Sequence, residues 1–333
     1  MEYGLEKYGD SQAEREPTDI KLGLAVSNLA NHLNPGFEIP SNLTSMVALA
    51  AYNQMGVELE LEGDLDFSAV STRFRLHRPP FIGVHQPVKA IDALSEDMHL
   101  RSYSSDRIRQ AMIMAERLRA DYFTVHLQTV DRDWADLQAR QAQIKASWEV
   151  FDEQISFYNR TDLSIPILVE NLEYPKYPAT PEEIGEVVSH LLASDLLSTG
   201  VVLDIGHLWR SRDLMTEAGL INSGDNLSYE DYLQSTIDSY GGQVKVVHYT
   251  GCRGFQTHLL PELNLPPEQP INDPDLLIHP NNEYNFRQIG DLLFRFASQQ
   301  TLPPYLVNEA FGNPYTAVIQ NNHDIFETFW PIK

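Results

Sequence analysis

The sequence predicts a single-domain (β/α)8 barrel, a TIM barrel, on three observations. Eight short apolar runs recur along the 333 residues, most of them rich in β-branched side chains. Helical patterns lie between most of them. Six consecutive runs then end in a histidine or a carboxylate. Short, near-continuous apolar runs are typical of parallel strands buried on both faces, and strand–helix alternation implies a parallel sheet. A doubly wound open sheet is the competing architecture. However, SNLANHLNPG after the first run lacks the glycine-rich phosphate loop of such folds.

The runs, in order, are KLGLAVS (21–27), VELEL (57–61), FIGVH (81–85), YFTVH (122–126), IPILVE (165–170), VVLD (201–204), VKVVH (244–248) and YLVNE (305–309). A helix over 42–55 is bounded by Asn42, a good N-cap, and Gly56, a good stop. Over 105–119, Ile108, Met112, Ala115 and Leu118 share one face. Residues 133–158 form a long amphipathic stretch. Thr180, Pro181, Glu182 and Glu183 open a further helix with a cap and a first-turn proline. Residues 229–239 and 285–299 complete the set, and 62–80 carries the faintest helical pattern. Residues 1–18 read as a loose polar tail and 19–333 as the barrel domain. The segment 250–283, rich in Pro and Asn, has the length of a lid or binding loop.

Composition narrows the function. A hydrophobic fraction of 42% suits a globular core. No apolar run reaches membrane-spanning length, so no membrane association is expected. The first residues lack the basic start and apolar stretch of a secretory signal. Cys252 is the single cysteine, which excludes an intrachain disulfide and fits a reducing cytoplasm. With 24 Lys and Arg against 47 Asp and Glu, the net charge is −23. Such a chain repels polyanions at long range, so a small-molecule substrate is expected rather than nucleic acid. Arg210, Arg212 and Arg253 are the main basic residues near the strand ends.

The six polar run ends are His85, His126, Glu170, Asp204, His248 and Glu309. A lone histidine at a strand end is usually a hydrogen-bonded structural residue. Glu170-Asn171 could form a turn, and Asp204 could simply cap the next helix. Charged groups directly after deeply apolar runs are nevertheless costly to bury without partners. In a barrel these ends converge on one face, where active sites lie. Six in register therefore point to a shared metal site. Histidine and carboxylate without cysteine suit Zn2+, with Mn2+ or Fe2+ as alternatives, and cations keep crowded carboxylates ionised.

GVHQP, FTVHLQ, ILVEN, LDIGH, VVHYTG and LVNE follow one another in an order that resembles the xylose-isomerase-like TIM-barrel superfamily, and within it the endonuclease IV branch, AP endonuclease family 2. The resemblance spans roughly residues 20–330. It implies that His85, His126 and Glu170 hold one metal, with Glu170 bridging to a second held by Asp204, His248 and Glu309. It makes His207 a ligand of a third ion. That ion's remaining D-x-H pair is matched by His279, although Leu277 stands where the aspartate belongs, Asp275 is displaced by two residues, and His258 is another candidate. Two ions are therefore expected. Isomerases and epimerases of the superfamily resemble a subset of the pattern, with one metal on Glu170, Asp204, His248 and Glu309.

Two chemistries follow. The first is metal-assisted hydrolysis of a phosphate ester or related small substrate, with Glu170, Glu309 and His207 as catalytic candidates and DNA repair disfavoured by the charge. The alternative is a mononuclear sugar isomerase or epimerase, in which Glu170 and Glu309 move a proton. Trp209 could stack on a sugar or simply pack in the core. A barrel that only binds a ligand is a third reading, disfavoured by the near-complete donor set.

Overall fold

The computed structural model describes residues 21–27, 43–60, 74, 78–88, 91–128, 137–194, 196, 198–221, 229–249, 292–293, 295–297, 304–309 and 322–323. Eight strands appear in chain order: β1 (Lys21–Ser27), β2 (Gly56–Glu60), β3 (Ile82–His85), β4 (Tyr122–Val125), β5 (Ile167–Glu170), β6 (Thr199–Asp204), β7 (Val244–Tyr249) and β8 (Tyr305–Asn308). All neighbours are parallel, and β1 pairs with both β2 and β8, closing the barrel. The eight expected runs are the eight strands, and the (β/α)8 architecture holds.

The described helices are α1 (Leu43–Tyr52), α2 (Met98–Leu118), α3 (Leu137–Arg160), α4 (Pro181–Ala193), α5 (Ile205–Glu217) and α6 (Tyr229–Tyr240), with further helical residues at 292–293 and 295–297. Thr180 caps α4 as TPEE predicts, its hydroxyl accepting the Glu183 N–H at 3.2 Å. Three helices differ from the sequence reading. α1 ends at Tyr52, three residues before the expected 55, with Gln54 in the left-handed region (φ 57°), and Gly56, expected as its stop, opens β2 instead. α2 begins seven residues before the expected 105, because Asp97 supplies the cap by accepting from the His99 N–H at 2.8 Å. α5 is absent from the expected helices and starts directly after β6. Asp204 caps it, its Oδ1 accepting the His207 N–H at 2.6 Å. His207 therefore sits in the first turn of a helix. The tail 1–18, most of 62–80 and the segment 250–283 lie outside the described residues.

Side-chain alternation sorts each strand into two faces. Val57, Leu59, Ile82, Val84, Phe123 and Val169 face outward into one helix-covered core, and Val201, Leu203, Val247 and Leu306 into another. The intervening residues fill the barrel. Phe81, Tyr122 and Tyr305 plug its N-terminal end, with ring centroids 4.4 Å apart for Phe81–Tyr305 and 5.6 Å for Tyr122–Tyr305. A Cβ at Gly56 would overlap the Phe81 ring, and one at Gly83 the Tyr122 ring, so the plug requires glycine at both positions. Leu168, Val202, Val246 and Val307 form the next layer. The same parity carries His85, His126, Glu170, Asp204, His248 and Glu309 to the C-terminal mouth.

Candidate metal centre

The six strand-end residues meet in two donor groups that share one residue. His85, His126 and Glu170 form one; Glu170, Asp204, His248 and Glu309 form the other, and within each group the donor atoms lie within 4.8 Å of one another. Glu170 is the hinge between them. Its Oε2 lies 3.1 Å from the Nε2 atoms of both His85 and His126, which are themselves 3.0 Å apart. Its Oε1 lies 3.2 Å from His248 Nδ1, and Glu309 Oε1 lies 3.1 Å from that nitrogen. The carboxylate thus presents one oxygen to each group.

Neighbouring groups orient these donor residues. His85 Nδ1 lies 2.7 Å from the Gln86 carbonyl, which leaves Nε2 for the site when that nitrogen donates. Gln86 also donates through Nε2 to the His126 carbonyl at 3.2 Å, tying the ends of β3 and β4. Asn171 neither forms an isolated turn nor faces the mouth. Its Oδ1 accepts the Asp204 N–H at 2.8 Å and its Nδ2 donates to the Asp204 carbonyl at 2.9 Å, fastening β5 to β6. Asp204 serves two roles, capping α5 through Oδ1 while Oδ2 lies 3.7 Å from His207 Nε2.

His207 points back toward the centre, with Nε2 3.8 Å from Glu170 Oε1 and Nδ1 2.9 Å from Glu173 Oε2. Sequence reasoning missed Glu173. It follows β5 in an irregular segment with no periodicity to flag it, and Lys176 binds its other oxygen at 2.8 Å. Glu58 was also missed. It lies inside the barrel, 1% exposed, with Oε2 at 3.1 Å from His248 Nε2. His279, His258, Asp275 and Arg253 lie outside the described residues. Trp209 packs against the outer core with the Arg212 guanidinium 5.7 Å from its ring, and Arg210 is buried.

Burial and mutual charge set the protonation of the metal-free cluster. Burial opposes ionisation of Glu170, yet the adjacent imidazoles outweigh it and hold its carboxyl well below the usual range. Burial lowers His126 to about 4 despite the adjacent Glu170. For His248, burial is overcome by Glu309, Glu58 and Glu170, which raise it well above its usual value. Burial, with Glu170, Asp204 and Glu58 nearby, raises Glu309 well above the carboxylate range despite His248. Burial would lower His207, but Asp204, Glu173 and Glu170 lift it to about 10.

This donor chemistry fits divalent cations. In a tetrahedral site with bonds of about 2.0–2.1 Å, ligand atoms stand about 3.3 Å apart. The 3.0–3.1 Å triangle of His85, His126 and Glu170 is close to that spacing. Protons on His248 and Glu309 now balance carboxylates that a cation would balance instead.

Fold and donor groups together define a (β/α)8 barrel with a candidate metal centre at the C-terminal mouth. No family model matches the sequence, and no curated protein sequence matches it. Solved structures do match in fold. A D-tagatose 3-epimerase-like protein superposes with a TM-score of 0.63 at 17% identity, covering 93% of this chain and 97% of its own. A Thermus thermophilus protein, in a crystal soaked with ZnCl2, gives 0.56 at 14% identity, covering 92% and 98%. An AP endonuclease of family 2 from Brucella melitensis gives 0.54 at 15% identity, covering 88% and 93%. The chain has the fold of the xylose-isomerase-like TIM barrels. Among the described residues, no helix is long and apolar enough to cross a membrane.

Proposed function

We propose that this chain is a divalent-metal-dependent enzyme with a two-ion centre, acting as a hydrolase on a phosphate ester or related small molecule. One observation carries the reading. The two oxygens of Glu170 face separate donor groups, 3.1 Å from His85 and His126 on one side and 3.2 Å from His248 on the other. His85, His126 and Glu170 would hold one ion; Glu170, Asp204, His248 and Glu309 the other. Zn2+ fits the donors best, with Mn2+ or Fe2+ as alternatives. When bound, such a pair supplies Lewis acidity toward phosphoryl oxygens and toward an attacking water.

The chain's own residues complete the chemistry. Glu309, at the rim of the cluster, orients the attacking water by accepting its proton once ionised. His207, held by Glu173, presents a cationic ring to a phosphoryl oxygen. The net charge of −23 disfavours DNA as substrate, and Arg210 and Arg212 are already engaged with their own surroundings. A cytoplasmic location is part of this proposal.

A second reading, a sugar epimerase, draws support from structural neighbours that include the D-tagatose 3-epimerase-like protein and a D-psicose 3-epimerase. In it Glu170 and Glu309 exchange a substrate proton beside one ion. Zn2+- and Mn2+-loaded protein should be assayed on p-nitrophenyl phosphate and its bis ester, and in parallel on ketohexoses in D2O. Metal-dependent nitrophenolate release is the expected result. Deuterium incorporation beside the ketose carbonyl without ester hydrolysis would establish the epimerase instead.

A further inference from the structure

We propose that Glu58 is a positioning residue for the second ion: it accepts a hydrogen bond from the Nε2–H of His248 and thereby turns Nδ1 toward Glu170 and Glu309. The inference rests on the two-ion reading and extends it to a residue outside both donor groups. Glu58 sits inside the barrel on β2, 1% exposed. Its register neighbours are Ala25 on β1 and Gly83 on β3, neither of which can pair with a carboxylate side chain. An acid in such a place is expensive unless it is bonded. Its Oε2 receives two contacts, the Tyr122 hydroxyl at 2.5 Å and His248 Nε2 at 3.1 Å.

The consequence lies across the imidazole ring. With Nε2 committed to Glu58, the remaining nitrogen is Nδ1, which stands 3.2 Å from Glu170 Oε1 and 3.1 Å from Glu309 Oε1. The two donor groups therefore use opposite histidine nitrogens. His85 faces its group with Nε2, opposite a backbone carbonyl; His248 faces its group with Nδ1, opposite a carboxylate. A carboxylate behind a ligand histidine fixes its tautomer and raises its basicity, and removing such a partner weakens metal binding by about 10- to 100-fold.

The test uses the full chain and Zn2+. Wild type, Glu58→Leu and Glu58→Gln are loaded, dialysed against a weak chelator and analysed for zinc, with affinities from chelator competition. Wild type is expected to keep two ions. Glu58→Leu should keep one and bind the other about 10- to 100-fold more weakly. Glu58→Gln retains an acceptor for the Nε2 proton and should recover most of the loss, which a merely space-filling role would not explain. Because Glu58→Leu could fail to fold, histidine 15N spectra of zinc-loaded wild type give an independent readout. His248 should show a metal-shifted Nδ1 and a slowly exchanging Nε2 proton. Metal bound through Nε2, or unchanged affinities in Glu58→Leu, would overturn the role of Glu58. Wild type that holds no zinc at all would instead overturn the two-ion reading beneath it.

Discussion

Replacing Glu170 by glutamine keeps its shape and removes its charge. Because its two oxygens face separate groups, at 3.1 Å and 3.2 Å, this one change should empty both metal positions together. His126→Gln should empty one position, and Glu309→Gln the other. Linkage gives the size of the effect. An ion at 100 times its Kd stabilises the native state by about 2.7 kcal/mol. At about 2.1 cal/mol/K of unfolding entropy per residue, this chain loses about 0.7 kcal/mol of stability per kelvin near Tm. Each ion should therefore raise Tm by about 4 °C. Thermal melts with and without Zn2+ should show a rise of about 8 °C for wild type, about half that for the single-position variants, and almost none for Glu170→Gln. If Glu170→Gln keeps one tightly bound ion and half the rise, its carboxylate does not bridge and the two-group reading fails.

Three further outcomes follow from the same geometry. His85→Gln and His126→Gln should each lower metal-dependent phosphoester hydrolysis by more than about tenfold while sparing the second ion, since both remove proposed ligands of the first; hydrolysis unchanged with one ion lost would show that the first ion takes no part in it. Because Glu309 is raised by burial and by neighbouring carboxylates, it is protonated in the metal-free protein at pH values where an ordinary glutamate is ionised. Metal must displace that proton, so Zn2+ affinity should rise with pH by at least about tenfold per unit below the Glu309 pKa, and chelator competition across pH should show a shallower dependence in Glu309→Gln. Asn171→Leu leaves the buried Asp204 N–H without its 2.8 Å partner, a cost of about 1–3 kcal/mol that calorimetry should record as a Tm fall of about 1–4 °C.

Strand ends were legible because two independent signals coincide there. The apolar runs mark each strand, and a metal-binding residue type at the same end of six of them marks the mouth. What sequence could not resolve was the inward face of a strand whose polar residues fall in its middle. In VELEL, Glu58 reads as ordinary alternation. Only pairing with β3, which aligns Glu58 with Gly83 two residues before His85, shows that Glu58 faces the barrel. Glu173 escaped because an irregular segment has no period to place a side chain. His207 is singled out by the resemblance alone, and the structure puts its ring beside Glu170, Asp204 and Glu173. Asp204 reads equally as ligand and as cap; the structure shows the cap, with α5 wound directly after it, and places the residue within a donor group.

The most direct test of the bridged centre is a crystal of zinc-loaded protein measured on both sides of the zinc absorption edge. Two anomalous peaks about 3.5–4 Å apart, on either side of the Glu170 carboxylate, are the expected result. A single peak among Glu170, Asp204, His248 and Glu309, with His85 and His126 unligated, would contradict it.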